Sequence, residues 1–305
     1  MSAAPGRPKQ ARSRLAGQAA GRRVPVNTTR RTVLAAGLGA PLAAWAQPKP
    51  RLVAISGAIT EVVYALGAQD QLVGTDTTSL YPAAALKTPK VGYMRQLSAE
   101  GVLSLQPDAV IATTEAGPPV VLDQLRSAGV KVELVKSEYT WEDVRAKVQA
   151  VGRAAGREAA ARELQARLDA EWAQVGQQVA ASKGPKPRVL FILSHGPAPQ
   201  VAGQGTAADA LIRFAGGVNA MGGFTNYRPM TAEAMATAAP DVILTTDQGI
   251  EALGGLEKFW QRPELALTPA YRRRAVVSLD ALLLLGFGPR MPQAVREVHQ
   301  RIHSS

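Results

Sequence analysis

From residue 51 onward, short apolar runs alternate with segments of helical spacing. Arg51-Leu52-Val53-Ala54-Ile55-Ser56 ends at Gly57, and residues 60–66 repeat every three to four positions before Gly67, which predicts a strand, a tight turn and a helix. Further apolar runs at 71–75, 109–114 and 131–135, with a helical segment over 119–128, extend the pattern. Strands alternating with helices predict a parallel sheet covered on both faces. Thr140 then reads as a helix cap with Glu142 and Asp143 in the first turn. Beyond it Trp141, Val144, Val148, Val151, Ala155, Ala159, Leu164, Leu168, Trp172, Val175 and Val179 form one apolar stripe. This predicts a single strut of about 40 residues, about 60 Å long, with Gly152 and Gly156 as bends and Lys183-Gly184-Pro185 as its end. The stripe lacks the strict heptad of a coiled coil. The second half restarts with a strand at 188–194, a loop holding His195, a helix over 206–214 and a Gly-rich turn.

The expected architecture is therefore α/β, with two Rossmann-like lobes, each around a central parallel sheet, joined by one long helix and leaving a ligand cleft between them. Its segments are 1–46, 47–139 (first lobe), 140–183 (linking helix) and 184–305 (second lobe). An internal repeat supports the pairing of lobes. A shift of 133 residues superposes Ser98-Ala99-Glu100 on Thr231-Ala232-Glu233, Pro107-Asp108 on Pro240-Asp241, and the run 109–113 on 242–246. The same shift places Arg95 on Arg228. Duplicated loops at corresponding strand ends would face one another across the cleft, where α/β sheets bind ligands.

Charge changes the picture less than its total suggests. Of the formal +11, eight positive side chains lie in residues 1–46, which hold no acidic residue, so the remainder carries only +3. With no aromatics interleaved in a basic run, nucleic-acid binding is disfavoured. The leader has a basic stretch ending in Arg30-Arg31, an apolar run over 33–44 and Ala44-Trp45-Ala46 before Gln47, the form of a cleavable export signal. Thr29-Arg30-Arg31-Thr32-Val33-Leu34 fits a twin-arginine route as well as the general secretory one. The apolar run is too short to span a bilayer, so the mature chain is expected in the periplasm without membrane insertion. Absence of cysteine excludes disulfides, thiolate metal sites and a lipidated N-terminal Cys.

Candidate chemistry is sparse. Val91-Gly92-Tyr93-Met94-Arg95 places a phenol two residues from a guanidinium. An anionic phenolate is a hard donor suited to ferric iron, and a nearby cation favours that form; a half-buried packing tyrosine is the plainer alternative. Tyr93 and Arg95 are expected to face Tyr227 and Arg228, and two guanidiniums suit a planar apolar ligand bearing carboxylates; pairing of either arginine with an acidic neighbour on the surface is the plainer alternative. His195 follows a strand end, where it would ligate iron, bond a carboxylate or simply be solvated. His299 and His303 stand four apart on the final helix, a spacing that could chelate a metal weakly; with no third ligand beside them they read better as cations placed favourably at a helix C-terminus. Glu100 and Glu233 are either ordinary first-turn charges or a matched pair of docking carboxylates, one per lobe. No nucleophile elbow, phosphate loop, dinucleotide fingerprint or zinc motif is present, so no enzyme is expected.

Residues 51–303 resemble the periplasmic haem-binding proteins of bacterial ABC haem importers, within the helix-linked binding proteins that also serve cobalamin and ferric siderophores. The most specific pieces are Val91-Gly92-Tyr93-Met94-Arg95 with Ser98-Ala99-Glu100-Gly101, Val201-Ala202-Gly203 with Gly205-Thr206-Ala207-Ala208-Asp209, and Gly286-Phe287-Gly288-Pro289-Arg290. The resemblance implies that Tyr93 ligates ferric haem iron, that Arg95 bonds the phenolate, that Arg228 is the second-lobe arginine, and that His195 serves as a second-lobe ligand when two haems are bound. It implies further that Glu100 and Glu233 engage arginines of a permease that works with an ATPase, and that the carrier is a monomer. A ferric-siderophore or cobalamin carrier is the nearest alternative, and a haem-dependent peroxide enzyme the alternative of another class.

Overall fold

The first strand decides where everything else goes: Leu52–Ile55 (β1) is buried at every position, as only a central strand of a sheet covered on both faces can be. In the computed structural model, which describes residues 49–194 and 198–304, β1 is followed by helix α1 (Gly57–Ala65), β2 (Leu72–Thr75), α2 (Ala99–Leu103), β3 (Ala109–Thr113), α3 (Pro119–Ser127) and β4 (Lys131–Val135). These strands form an all-parallel sheet in the order β2-β1-β3-β4. The leader and its cleavage site lie outside the described residues.

The predicted 60 Å strut is instead two helices, α4 (Trp141–Ala154) and α5 (Glu158–Ala181), folded back on one another. Trp141 stacks on Trp172 with ring centroids 4.7 Å apart, and its indole N–H donates to Asp169 at 2.7 Å, which requires antiparallel packing. Gly156 makes the reversal with φ +62, and Gly152 lets the helices close, since a Cβ there would lie 2.5 Å from that of Ala161. One apolar stripe was therefore two, each turned toward the other helix and the lobes. Hydrophobic periodicity reports which face is buried and is silent about the direction of the chain. The connection between lobes is α5 alone, 24 residues long.

The second lobe contains β5 (Arg188–Leu193), β6 (Gln200–Ala202), α6 (Ala207–Phe214), β7 (Val218–Asn219), β8 (Tyr227–Pro229), α7 (Ala232–Ala238) and β9 (Val242–Thr246). It continues through α8 (Asp247–Ala252), α9 (Leu256–Trp260), α10 (Pro269–Arg273), β10 (Val276–Leu279), α11 (Ala281–Leu285) and α12 (Met291–Ser304). Its sheet is mixed rather than wholly parallel: β10, β9, β5 and β7 run parallel, while β6 and β8 add an antiparallel arm. The repeat holds in three dimensions. The backbone N–H of Arg51 donates to Asp108 at 2.7 Å and that of Arg188 to Asp241 at 3.0 Å, so the residue before β3 and before β9 pins the first strand of its lobe in the same way.

One hydrophobic core runs through both lobes, from Leu52 and Val62 through Val148 and Leu164 to Val189, Leu211 and Val298. Separate clusters fill the outer face of each sheet. The segment Gly286-Phe287-Gly288-Pro289-Arg290 stitches the lobes together. Arg290 donates from Nε and Nη2 to the two oxygens of Glu61 on α1, at 2.9 and 2.6 Å. Lys147 on α4, only 1% exposed, donates to the Phe287 carbonyl at 3.0 Å, and the Phe287 ring meets Tyr139 edge-on at 5.3 Å.

Burial lowers the Lys147 amine to about 8 from 10.5, with Asp143 and Glu115 opposing. Between pH 8 and 10 the folded chain sheds this proton while the unfolded chain keeps it, so the unfolded state binds more protons and stability rises with pH. Urea unfolding of the wild type should gain about 2 kcal/mol over that interval, a gain absent from Lys147→Met.

Candidate functional site

The loop from 91 to 97 is built to present two side chains. Val91, Met94 and Leu97 are buried in the outer core of the first lobe, so Tyr93 and Arg95 between them face outward. Gly92 takes φ +102, and main-chain bonds from Val91 to Thr75, Leu97 to Gly117 and Gly117 to Met94 fix both ends. Tyr93 is 39% exposed and lines a cleft of about 460 Å³ between the lobes. That volume lies within the range of small-molecule sites.

Arg95 Nη1 donates to Tyr93 Oη at 2.8 Å, and its Nη2 pairs with Glu115. Glu115 also accepts from Ser137 Oγ at 3.1 Å and from Tyr139 Oη at 3.2 Å. Burial disfavours the charge on Arg95, but Glu115 and the Tyr93 oxygen more than offset it, so the guanidinium is held firmly charged. Burial and the Glu115 carboxylate push the Tyr139 phenol up to about 12. Tyr227 enters from β8 of the other lobe, also pushed up to about 12 by burial. The remaining walls are mainly apolar: Leu80 on one side, Leu193, Leu282 and Leu285 on the other. The arrangement offers one phenol beside a charge-paired guanidinium at an otherwise apolar gap, with two further phenols whose ionisation is pushed upward.

The β1–α1 turn and the loop after β2 form the adjacent wall. Asp76, fully buried, accepts from the Ser56 N–H at 2.9 Å and Ser79 Oγ at 2.9 Å with one oxygen, and from Thr78 N–H at 3.0 Å and Oγ1 at 2.6 Å with the other. It thereby holds Ser56 at φ 113, an unfavourable backbone conformation for a residue with a Cβ.

The expected set is only partly assembled. Tyr93, Arg95 and Tyr227 line one cleft; Arg228 does not. Arg228 alternates with Tyr227 along β8, is exposed, and sets its guanidinium 4.6 Å from the Phe224 ring centroid. The ungapped repeat equated a loop residue with a strand residue, and the strand's alternation turns the second arginine away. His195 lies outside the described residues. Glu100 and Glu233 are both exposed in the first turns of α2 and α7, beneath caps from Ser98 and Thr231. Glu115, Tyr139 and Asp76 were missed. The signal available was position: Glu115 and Asp76 each follow the carboxyl end of a parallel strand, where ligands of such sheets gather.

Fold and cleft together define a two-lobed binding protein of the helix-linked kind. The chain belongs to the periplasmic binding protein family, whose model matches residues 52–283. It is similar to the periplasmic haem-binding protein BhuT in complex with two haems, at 48% identity and a TM-score of 0.80, covering 84% of this chain and 98% of that one. It also resembles the uncharacterized ABC transporter substrate-binding lipoprotein YvrC of Bacillus subtilis, 29% identical over 84% of this chain and 81% of its relative. The vitamin B12-binding protein of Vibrio parahaemolyticus is 27% identical over 85% and 91%. No described helix is long and apolar enough to cross a membrane.

Replacing Asp76 by alanine strips four hydrogen bonds from the cleft wall. Asp76→Ala should lose about 3 kcal/mol in urea unfolding, with the loop after β2 becoming the first site of proteolytic cutting.

Proposed function

We propose that this chain is a non-enzymatic carrier that takes ferric haem in the periplasm through the Tyr93 phenolate and delivers it to an inner-membrane ABC transporter. The observation that carries the reading is the Arg95 guanidinium 2.8 Å from Tyr93 Oη inside an apolar interlobe cleft. Phenolate oxygen is a recognised haem-iron donor, and a hydrogen bond from a cation tunes it without competing for the metal. The leucine walls suit a flat apolar macrocycle, and the 48% identity to a haem-binding protein supports the same choice. Because Glu115 neutralises Arg95, the phenolate's charge is left to balance that of ferric iron. Tyr227 reaches the ligand from the second lobe, Arg228 is a cation outside the cleft lining, and His195 remains a candidate second ligand. The carrier acts as a monomer after export by the general secretory or twin-arginine route. A cobalamin carrier is the second reading, favoured by the vitamin B12-binding relative.

Titrating the chain with haemin should give a saturable change in the absorption spectrum, where cyanocobalamin gives none. Tyr93→Ala should weaken haemin binding by about tenfold or more and remove the phenolate-to-iron absorption. An unchanged spectrum and affinity in that variant would reject the ligand, and tight cyanocobalamin binding would select the second reading.

Glu100 and Glu233 are exposed carboxylates in the first turns of α2 and α7, at equivalent positions of the repeat, suited to a partner with two basic pockets. Combined Glu100→Ala and Glu233→Ala should leave haemin titration unchanged and cut haem transport into vesicles bearing the cognate transporter. Loss of haemin binding in the double variant would contradict the docking role.

A further inference from the structure

Helix α12 carries His299 and His303 one turn apart, and the fold supplies what their spacing could not. The two rings lie with centroids 4.4 Å apart. His299 Nδ1 sits 2.9 Å from the carbonyl of Ala215, and His303 Nδ1 2.9 Å from the carbonyl of His299. A carbonyl only accepts, so in the neutral rings both Nδ1 atoms carry the hydrogen and both Nε2 atoms carry the lone pair. Among the described residues neither Nε2 has a hydrogen-bond partner. The turn after α6 lies under the pair: a Cβ on Gly216, at φ +83, would come within 3.7 Å of each ring. Arg301, between them in sequence, sends its guanidinium to the Ser278 carbonyl and to Glu297.

We infer that His299 and His303 form a two-imidazole chelate for a divalent first-row transition ion. Two histidines at i and i+4 of one helix face present nitrogens that converge on a common ion, each needing an approach of about 2.0–2.1 Å. A backbone carbonyl on the far nitrogen fixes tautomer and ring angle, the arrangement usual for histidine ligands. Among the described residues no cluster of three or more histidine, cysteine or acidic side chains could close the coordination, so water fills the remaining positions. Such a half-filled imidazole site ranks Cu²⁺ above Zn²⁺. No residue of α12 lines the cleft, so the site does not rest on the haem reading.

The test is Cu²⁺ titration of the full, tag-free chain by calorimetry, with electron paramagnetic resonance to read nitrogen ligation. One equivalent should bind with a two-nitrogen signature, more tightly than Zn²⁺ and more weakly as the pH falls, since protons compete for Nε2. Single His303→Ala and His299→Gln variants should each weaken it by about tenfold or more, while Tyr93→Ala retains it. Far-ultraviolet circular dichroism confirms that the variants fold. Absence of binding in the wild type, survival of the two-nitrogen signature in both histidine variants, or its loss in Tyr93→Ala would overturn the site.

Discussion

The buried ion pair between Glu61 and Arg290 is the constraint on which the geometry of the cleft depends. Glu61 is 5% exposed, and burial raises its carboxyl above the usual carboxylate range despite the guanidinium against it. A charge in that position is tolerable only while its partner is in place, because removing either member leaves the other uncompensated. Glu61 belongs to the first helix of one lobe and Arg290 to the start of the last helix of the other. Separation of the lobes along this seam would expose or strand both charges. The Lys147 bond to Phe287 repeats the logic at a second point, and Arg290 also lies 3.7 Å from the Tyr81 ring centroid.

The shared core makes the same point with apolar surface. Because one cluster passes from β1 through α4 and α5 to α12, the lobes are not two globules on a tether. Opening them would expose apolar area at roughly 25 cal/mol per Å², besides the buried charges. Stiffness thus comes from the helical hairpin packed across the back and from the stitch at 286–290. A long strut, the device inferred from the stripe alone, is not the cause.

What was legible in the sequence follows from how local each signal is. Strand positions such as Leu52–Ile55 and Ala109–Thr113 were readable because a buried parallel strand is an unbroken apolar run closed by turn residues. The duplication was readable because Pro107-Asp108 and Pro240-Asp241 do the same backbone work in each lobe. The reversal at Gly156 was not, because a glycine that bends a helix and one that ends it look alike until the partners of Trp141 are known. Arg228 was misplaced because an ungapped repeat carries no information about which face a strand residue takes. Glu115 could not be ranked from sequence, since its importance lies in three donors from 95, 137 and 139 that meet only after folding.

That convergence gives the three phenols of the cleft different surroundings. Tyr139 spends its hydroxyl on Glu115 and Tyr227 is deeply placed, so both keep their protons to about 12. Tyr93 alone is well exposed and alone accepts from a guanidinium. The same carboxylate that disables Tyr139 as an anion neutralises Arg95, so the site holds a cation close to the Tyr93 oxygen without presenting net positive charge to the cleft. One carboxylate thus serves an arginine and a tyrosine at once, in an otherwise apolar gap.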